Sequence, residues 1–237
     1  MNFTNRIVLL TGGTGALGAV IAQAFLKNGA HVTTTYHGPR SFAELQAALG
    51  EEKSRLTGIS TDVTKEAGMQ TLVEQTINNF GRVDVLVNLV GGYMGGVNLV
   101  DTTEVDWERM LTLNLKSTFL SCKAVLPHML KQNYGRIVNT SSRGAVEVGP
   151  GAAAYAVSKA GVLTLTQSLA QEVKAHNITA NVVLPGLIDT PQNRQGLPGA
   201  DYSKWVAPAS IAHLMLYLAS AEAGAINGAV VPNYGKS

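Results

Sequence analysis

A short apolar run at residues 7–10 leads into Thr11-Gly12-Gly13-Thr14-Gly15-Ala16-Leu17-Gly18, and a helical pattern over residues 19–27 leads out, closed by Asn28-Gly29. Gly13, Gly15 and Gly18 satisfy G-x-G-x-x-G in the strand–turn–helix setting that this pattern requires. Such a stretch leaves the chain little choice. The backbone turns sharply out of a strand, and the first N–H groups of the following helix are left uncovered. A pyrophosphate can then approach the glycines closely and be held by those donors. The competing reading is a plain tight turn.

The rest of the chain repeats the same alternation. Strand-like runs are predicted at 31–35, 56–60, 83–90, 135–141, 178–184 and 228–231, and helices at 41–49, 69–80, 106–131, 156–173 and 209–219. The 83–90 run is apolar nearly throughout, as expected of a strand covered on both faces. Strands alternating with helices from end to end imply right-handed βαβ units. The expected fold is therefore α/β: a doubly wound, Rossmann-type parallel sheet of about seven strands with helices on both faces. No linker, repeat or low-complexity stretch interrupts residues 1–237, so one dinucleotide-binding and catalytic domain is expected.

Composition excludes several classes of function. Charged residues are 14% and hydrophobic residues 46%, which argues against disorder. A net charge of +2 with scattered basic residues predicts no nucleic-acid or anionic-membrane partner. No stretch is long and apolar enough to span a bilayer, and no targeting signal precedes the first strand. The single cysteine, Cys122, rules out an intrachain disulfide, fits a reducing compartment and sits in an apolar helical stretch that suits an inert thiol. A cytoplasmic protein is expected. His37, His128, His176 and His213 show no ligand spacing, so no metal is implied.

Tyr155 and Lys159 stand four apart at the start of the helical segment from residue 156, and so point the same way. A cation beside a phenol favours the phenolate and brings its pKa down from about 10. The pair is thus a candidate acid/base for a carbonyl or an alcohol. The alternative is a chance pair on a solvated face.

With these residues stand Asp62, Asn88 with Gly91, Asn114, Ser142, Pro185-Gly186 with Thr190, and Ile226-Asn227-Gly228 near the C-terminus. In this order and spacing the chain resembles the short-chain dehydrogenase/reductase family over essentially its whole length. The resemblance implies that Tyr155 donates or accepts the proton and that Lys159 holds the nicotinamide ribose and lowers the tyrosine pKa. It implies that Ser142 hydrogen-bonds the substrate oxygen and that Asn114 supports a water feeding Lys159. Gly12, Thr14, Gly15, Leu17 and Gly18 would wrap the pyrophosphate, and Asp62 and Val63 would meet the adenine. Asn88, Val90 and Gly91 would brace the central strand and pass the adenosine ribose. Thr140 would contribute at the end of the fifth strand, and Pro185, Gly186, Ile188 and Thr190 would cover the nicotinamide. Ser141 and Ser142 could instead merely end a strand, and Asn114 could be a helix-surface amide. Tyr93 and Met94 could line a substrate pocket or simply cover it.

The chain departs from the family pattern at three places. Ala16 stands where the family usually has Gly, its Asn-Asn-Ala-Gly reads Asn88-Leu89-Val90-Gly91, and Val231-Pro232-Asn233-Tyr234-Gly235 lacks a common acidic residue. The expected activity is hydride transfer between a nicotinamide and a carbonyl or secondary alcohol, most simply as a ketoreductase. A family member that keeps the fold and cofactor site but serves as a sensor is the competing class. The presence of Ser142, Tyr155 and Lys159 favours the enzyme.

The end of the second strand carries Tyr36, His37 and Arg40 where an NAD user needs a carboxylate for the ribose hydroxyls. Arg40 could pair with a 2′-phosphate and His37 could add to it, so NADP(H) is favoured over NAD(H). Against this, Thr14 and Gly15 bring no basic residue to the phosphate turn, and Arg40 could equally be a solvated side chain opening the next helix. Apolar residues spread around the helices at 106–131 and 156–173 predict a homodimer or homotetramer, the tetramer preferred.

Overall fold

The computed structural model describes residues 1–236. Among them seven strands form one parallel sheet in the order β3-β2-β1-β4-β5-β6-β7. In chain order these are β1 (Ile7–Thr11), β2 (His31–Tyr36), β3 (Leu56–Ser60), β4 (Val85–Asn88), β5 (Gly135–Thr140), β6 (Ile178–Pro185) and β7 (Val230–Asn233). The helices are α1 (Ala16–Lys27), α2 (Pro39–Ala48), α3 (Glu66–Phe80), α4 (Glu104–Met110), α5 (Ser117–Gln132), α6 (Ala153–Val173), α7 (Pro191–Gly196) and α8 (Pro208–Ala219). The doubly wound α/β fold read from the sequence is the fold observed.

Each face of the sheet buries its own core. Val85 and Val87 of β4 pack into a cluster with Phe25 of α1, Leu45 of α2 and Met215 of α8. Leu86, between them, points the other way, toward Leu72 of α3, Val125 of α5 and Leu169 of α6. This alternation explains the continuous apolar run: a parallel strand covered on both sides has no polar face to show.

The helices α2, α3 and α6 begin two or three residues before expectation, and three further boundaries differ for local reasons. The fourth strand is Val85–Asn88 rather than 83–90, because the Leu89 N–H is taken by the Thr11 hydroxyl at 3.3 Å instead of a neighbouring strand. The last strand is shifted to Val230–Asn233 and tolerates Pro232 because β7 pairs only with β6. The long helix expected at 106–131 is interrupted: α4 passes into a π-helical turn, Leu111–Lys116, before α5 resumes. In a widened turn the backbone carbonyls lose their regular partners. Here the Ser117 hydroxyl donates to Leu113 O at 2.6 Å and the Thr118 hydroxyl to Asn114 O at 2.9 Å.

Candidate active site

The glycine turn is held from below. Thr34 Oγ1 accepts from Gly13 N at 3.0 Å and donates to Leu10 O at 2.9 Å, and Thr35 Oγ1 accepts from Gly12 N at 2.9 Å. Gly18 packs against the Gly12 carbonyl so closely that any side chain there would overlap it. With the Gly12 and Gly13 donors occupied, the uncovered N–H groups are those of the first turn of α1. That turn carries no acidic side chain to repel a phosphate. Thr34 and Thr35 were not singled out by sequence. The signal was there, in three consecutive threonines on a strand otherwise expected to be apolar.

On the opposite wall, β5 and α6 bring together Ser142, Tyr155 and Lys159. Ser142 follows β5 and accepts from Gly144 N at 3.1 Å, capping a short 3-10 turn. Tyr155 lies in the first turn of α6, which begins at Ala153, before the expected start. Lys159 is 6% exposed and donates to Thr140 O at 3.1 Å. Burial pushes its ammonium down to about 8. Burial pushes the Tyr155 phenol above its ordinary value, a hydrogen bond with Ser142 opposes that, and Tyr93 adds to the rise. The expected lowering by Lys159 is not among the effects that act on Tyr155 in the protein alone; desolvation sets the direction.

Asn114 is fully buried in the π-helical turn. Its Oδ1 accepts from Gly92 N at 2.8 Å, and its Nδ2 donates to Gly92 O at 3.1 Å and to Ser158 Oγ at 2.9 Å. Ser158 in turn donates to Tyr155 O at 2.7 Å. Asn114 thus ties the loop after β4 to the helix that carries Tyr155. It is no surface amide. A Cβ at Gly91 would lie 2.8 Å from Asn114 Oδ1 and 3.0 Å from Lys159 Nζ, so only glycine lets the chain pass between them.

Beneath both walls runs a buried polar chain. Asn88 Nδ2 donates to Asn139 Oδ1 at 2.9 Å, and Asn139 Nδ2 donates to Thr166 Oγ1 of α6 at 2.9 Å. The Ser121 hydroxyl donates to Asn88 Oδ1 at 2.7 Å. Cys122 abuts this chain, and burial pushes its thiol up to about 12, so it is inert.

Between the walls lies a crevice of about 370 Å³. Of the predicted residues, Gly12, Gly15, Leu17, Gly18, Gly91, Thr140, Ser142, Tyr155, Lys159, Pro185, Gly186, Ile188 and Thr190 line it. Thr190 also caps α7, accepting from Asn193 N at 3.2 Å. Asn88 and Asn114 support the crevice from behind, and Val90 packs its Cγ2 where a Cβ on Gly12 would be 3.2 Å away. Thr14 belongs to the turn but is not in the lining. Ala16, Leu89, Gly92, Gln192 and Asn193 line the crevice without having been singled out as site residues.

The remaining predicted residues form a separate, more open rim. Tyr36 stacks on Phe42, centroids 4.9 Å apart and planes 15° off parallel. Arg40 Nε donates to Glu44 Oε1 at 2.9 Å, with both side chains mostly exposed. Asp62 accepts from the Thr64 hydroxyl at 2.6 Å and from Thr64 N at 2.9 Å, which holds its carboxyl below the usual range, and His37 pulls in the same direction. Val63 is buried. None of Tyr36, His37, Arg40, Asp62 and Val63 lines the crevice.

The glycine cradle at Gly18, the uncovered first turn of α1 and the opening beside Gly91 together fit an extended dinucleotide lying along the strand ends. The pattern of the short chain dehydrogenases matches residues 6–199. The chain belongs to the short-chain dehydrogenase family. It is 35% identical over 240 residues to the hydroxy(phenyl)methyl-succinyl-CoA dehydrogenase subunit BbsD of Thauera aromatica, covering 98% of this chain and 96% of that one. It is 31% identical over 242 residues to the 3-oxoacyl-(acyl-carrier-protein) reductase FabG of Thermotoga maritima, covering 98% and 97%. Among solved structures, levodione reductase superposes with a TM-score of 0.91 at 28% identity, covering 99% of this chain and 98% of that one. An NAD+-bound xylitol dehydrogenase superposes with a TM-score of 0.92 at 25% identity, covering 99% and 100%. As a member of this family, the chain is an NAD(P)-dependent oxidoreductase acting on carbonyl or alcohol substrates.

Proposed function

We propose that the protein is a ketoreductase that prefers NADP(H), with Ser142, Tyr155 and Lys159 as its catalytic residues and Asn114 as the residue that positions them. A bound nicotinamide supplies the hydride. Ser142 and Tyr155 hydrogen-bond the carbonyl oxygen, and Tyr155 delivers its proton as charge develops there. Lys159, fixed by Thr140 O, holds the ribose and returns a proton to Tyr155. The Asn114–Ser158–Tyr155 chain of hydrogen bonds keeps the first turn of α6 in register with the loop after β4. The single observation that carries the reading is a half-buried Tyr155 that shares the crevice wall with Ser142 and the buried Lys159. The relatives' names span ketones, thioesters and alcohols, so the test is a panel of carbonyl compounds with NADPH consumption as readout. Turnover of at least one ketone is expected; none across a broad panel overturns the reading.

The cofactor preference rests on the rim. The end of β2 offers no carboxylate to hold ribose hydroxyls or repel a 2′-phosphate. The exposed Arg40–Glu44 pair is of the kind that contributes little, so Arg40 is free to change partner. We also place residues 1–237 in one functional domain and the protein in the cytoplasm, where a single reduced thiol such as Cys122 is at home. The working unit is a homotetramer, or failing that a homodimer. Val105 of α4, Phe119 of α5 and Val157 of α6 are exposed apolar side chains that association would cover. Light scattering at micromolar concentration tests this, and a monomer mass rules it out.

A further inference from the structure

Tyr93 shares the crevice wall with Tyr155 but is not one of the three residues proposed as catalytic. Its ring stands edge-on to Tyr155, centroids 5.0 Å apart and planes at 75°. It lines the crevice, yet 73% of it is exposed. An aromatic ring left this open presents an apolar face that nothing among the described residues covers.

The loop that carries Tyr93 is anchored on both sides. Before it, Gly92 is bonded at both its N–H and its carbonyl by Asn114. After it, Val97 N donates to Gly151 O at 3.1 Å. The Tyr93 hydroxyl end rests against Gly95, where a side chain would collide with it. The ring is therefore placed rather than loose, one edge on Tyr155 and the rest open. Further exposed apolar side chains are Val146 and Val148, between Ser142 and Tyr155 in the chain, and Leu197, just beyond α7. Among the described residues lining the crevice, Lys159 is the only charged one.

We propose that Tyr93 is a specificity residue that stacks on an aromatic group attached to the substrate's carbonyl carbon, so that uncharged aryl ketones are preferred over small aliphatic ones. The inference rests on the reductase reading above. A carbonyl oxygen lying between Ser142 and Tyr155 puts its substituents within about one ring width of Tyr93, since the two tyrosine rings are 5.0 Å apart. Aromatic pairing of this kind, together with the apolar area it covers, changes selectivity by about tenfold.

The test compares acetophenone with 2-butanone in the full-length wild type, Tyr93→Phe and Tyr93→Ala. The ratio of kcat/KM for the two ketones is expected to favour acetophenone in the wild type. It should persist in Tyr93→Phe and fall about tenfold in Tyr93→Ala, mainly through KM. An unchanged ratio in Tyr93→Ala overturns the inference and assigns Tyr93 only to covering Tyr155. Calorimetry with 1-phenylethanol and 2-butanol, on protein saturated with oxidised cofactor, separates this inference from the reading beneath it. If neither ketone is turned over, the broad carbonyl panel decides the reductase reading, and binding decides the role of Tyr93. A binding preference for the phenyl alcohol that is lost in Tyr93→Ala still upholds the role of Tyr93, and the absence of that preference overturns it.

Discussion

The two ends of the crevice are built on different principles. At the β5–α6 wall, Lys159 and Asn114 are buried and bonded to backbone or to buried side chains from three different elements. At the rim beyond β2, the polar side chains bond mostly within their own segment: Arg40 to Glu44 four residues on, and Asp62 to Thr64 two residues on. The first arrangement is over-determined, because removing one partner leaves buried polar groups unsatisfied. The second is open to water, and its contacts can be exchanged at little cost. The proposed chemistry thus rests on side chains fixed by the core, while the proposed cofactor choice rests on side chains free to rearrange.

The strongest way to sharpen this contrast is Tyr155→Phe. It removes one hydroxyl and leaves the fold and the glycine cradle intact. Turnover is expected to fall by at least about a hundredfold, the lower range for a lost general acid, with cofactor affinity retained. Parental turnover of any accepted ketone would dismiss the proposed mechanism.

A smaller effect, on stability rather than rate, follows from Lys159. Its folded pKa of about 8 lies below the ordinary value of 10.5, so the folded protein disfavours the ammonium. Below about pH 8 the full penalty is present, and it is relieved as pH rises from there through the unfolded value. The unfolded chain binds the extra proton in this window, so stability rises with pH, by on the order of 3 kcal/mol in total. Denaturant unfolding of cofactor-free protein between about pH 7 and about pH 9.5 should show the wild type gaining on Lys159→Met. Parallel pH dependences would mean that the ammonium is not desolvated as the structure has it.

The smallest expected effect lies at the rim. Arg40→Ala should reduce the NADPH-to-NADH ratio of kcat/KM by a few-fold to about tenfold, as for one exposed charge-assisted contact, without lowering kcat. A wild-type preference for NADH would refute the NADP(H) proposal. An unchanged ratio in the variant would remove Arg40 from the site and leave the comparison resting on His37 alone.

The sequence by itself determined the layering and the main chemical groups. Continuous apolar strand runs and helical patterns follow directly from covering a parallel sheet on both faces. The spacing of Tyr155 and Lys159 put both on one side of α6. The glycines at 13, 15 and 18 announced the turn, and no other residue fits where Gly18 meets the Gly12 carbonyl. Only the tertiary structure decided how those groups behave. The widened turn at Leu111–Lys116, which aims Asn114 at Gly92 and Ser158, leaves no mark in apolar periodicity, because its partners come from distant parts of the chain. The run of threonines at 33–35 is visible in the sequence, but which backbone groups Thr34 and Thr35 hold is settled only when the turn folds over them. The raised Tyr155 and lowered Lys159 pKa values depend on how much water packing excludes, and that is a property of the assembled fold, set by desolvation rather than by neighbours in sequence.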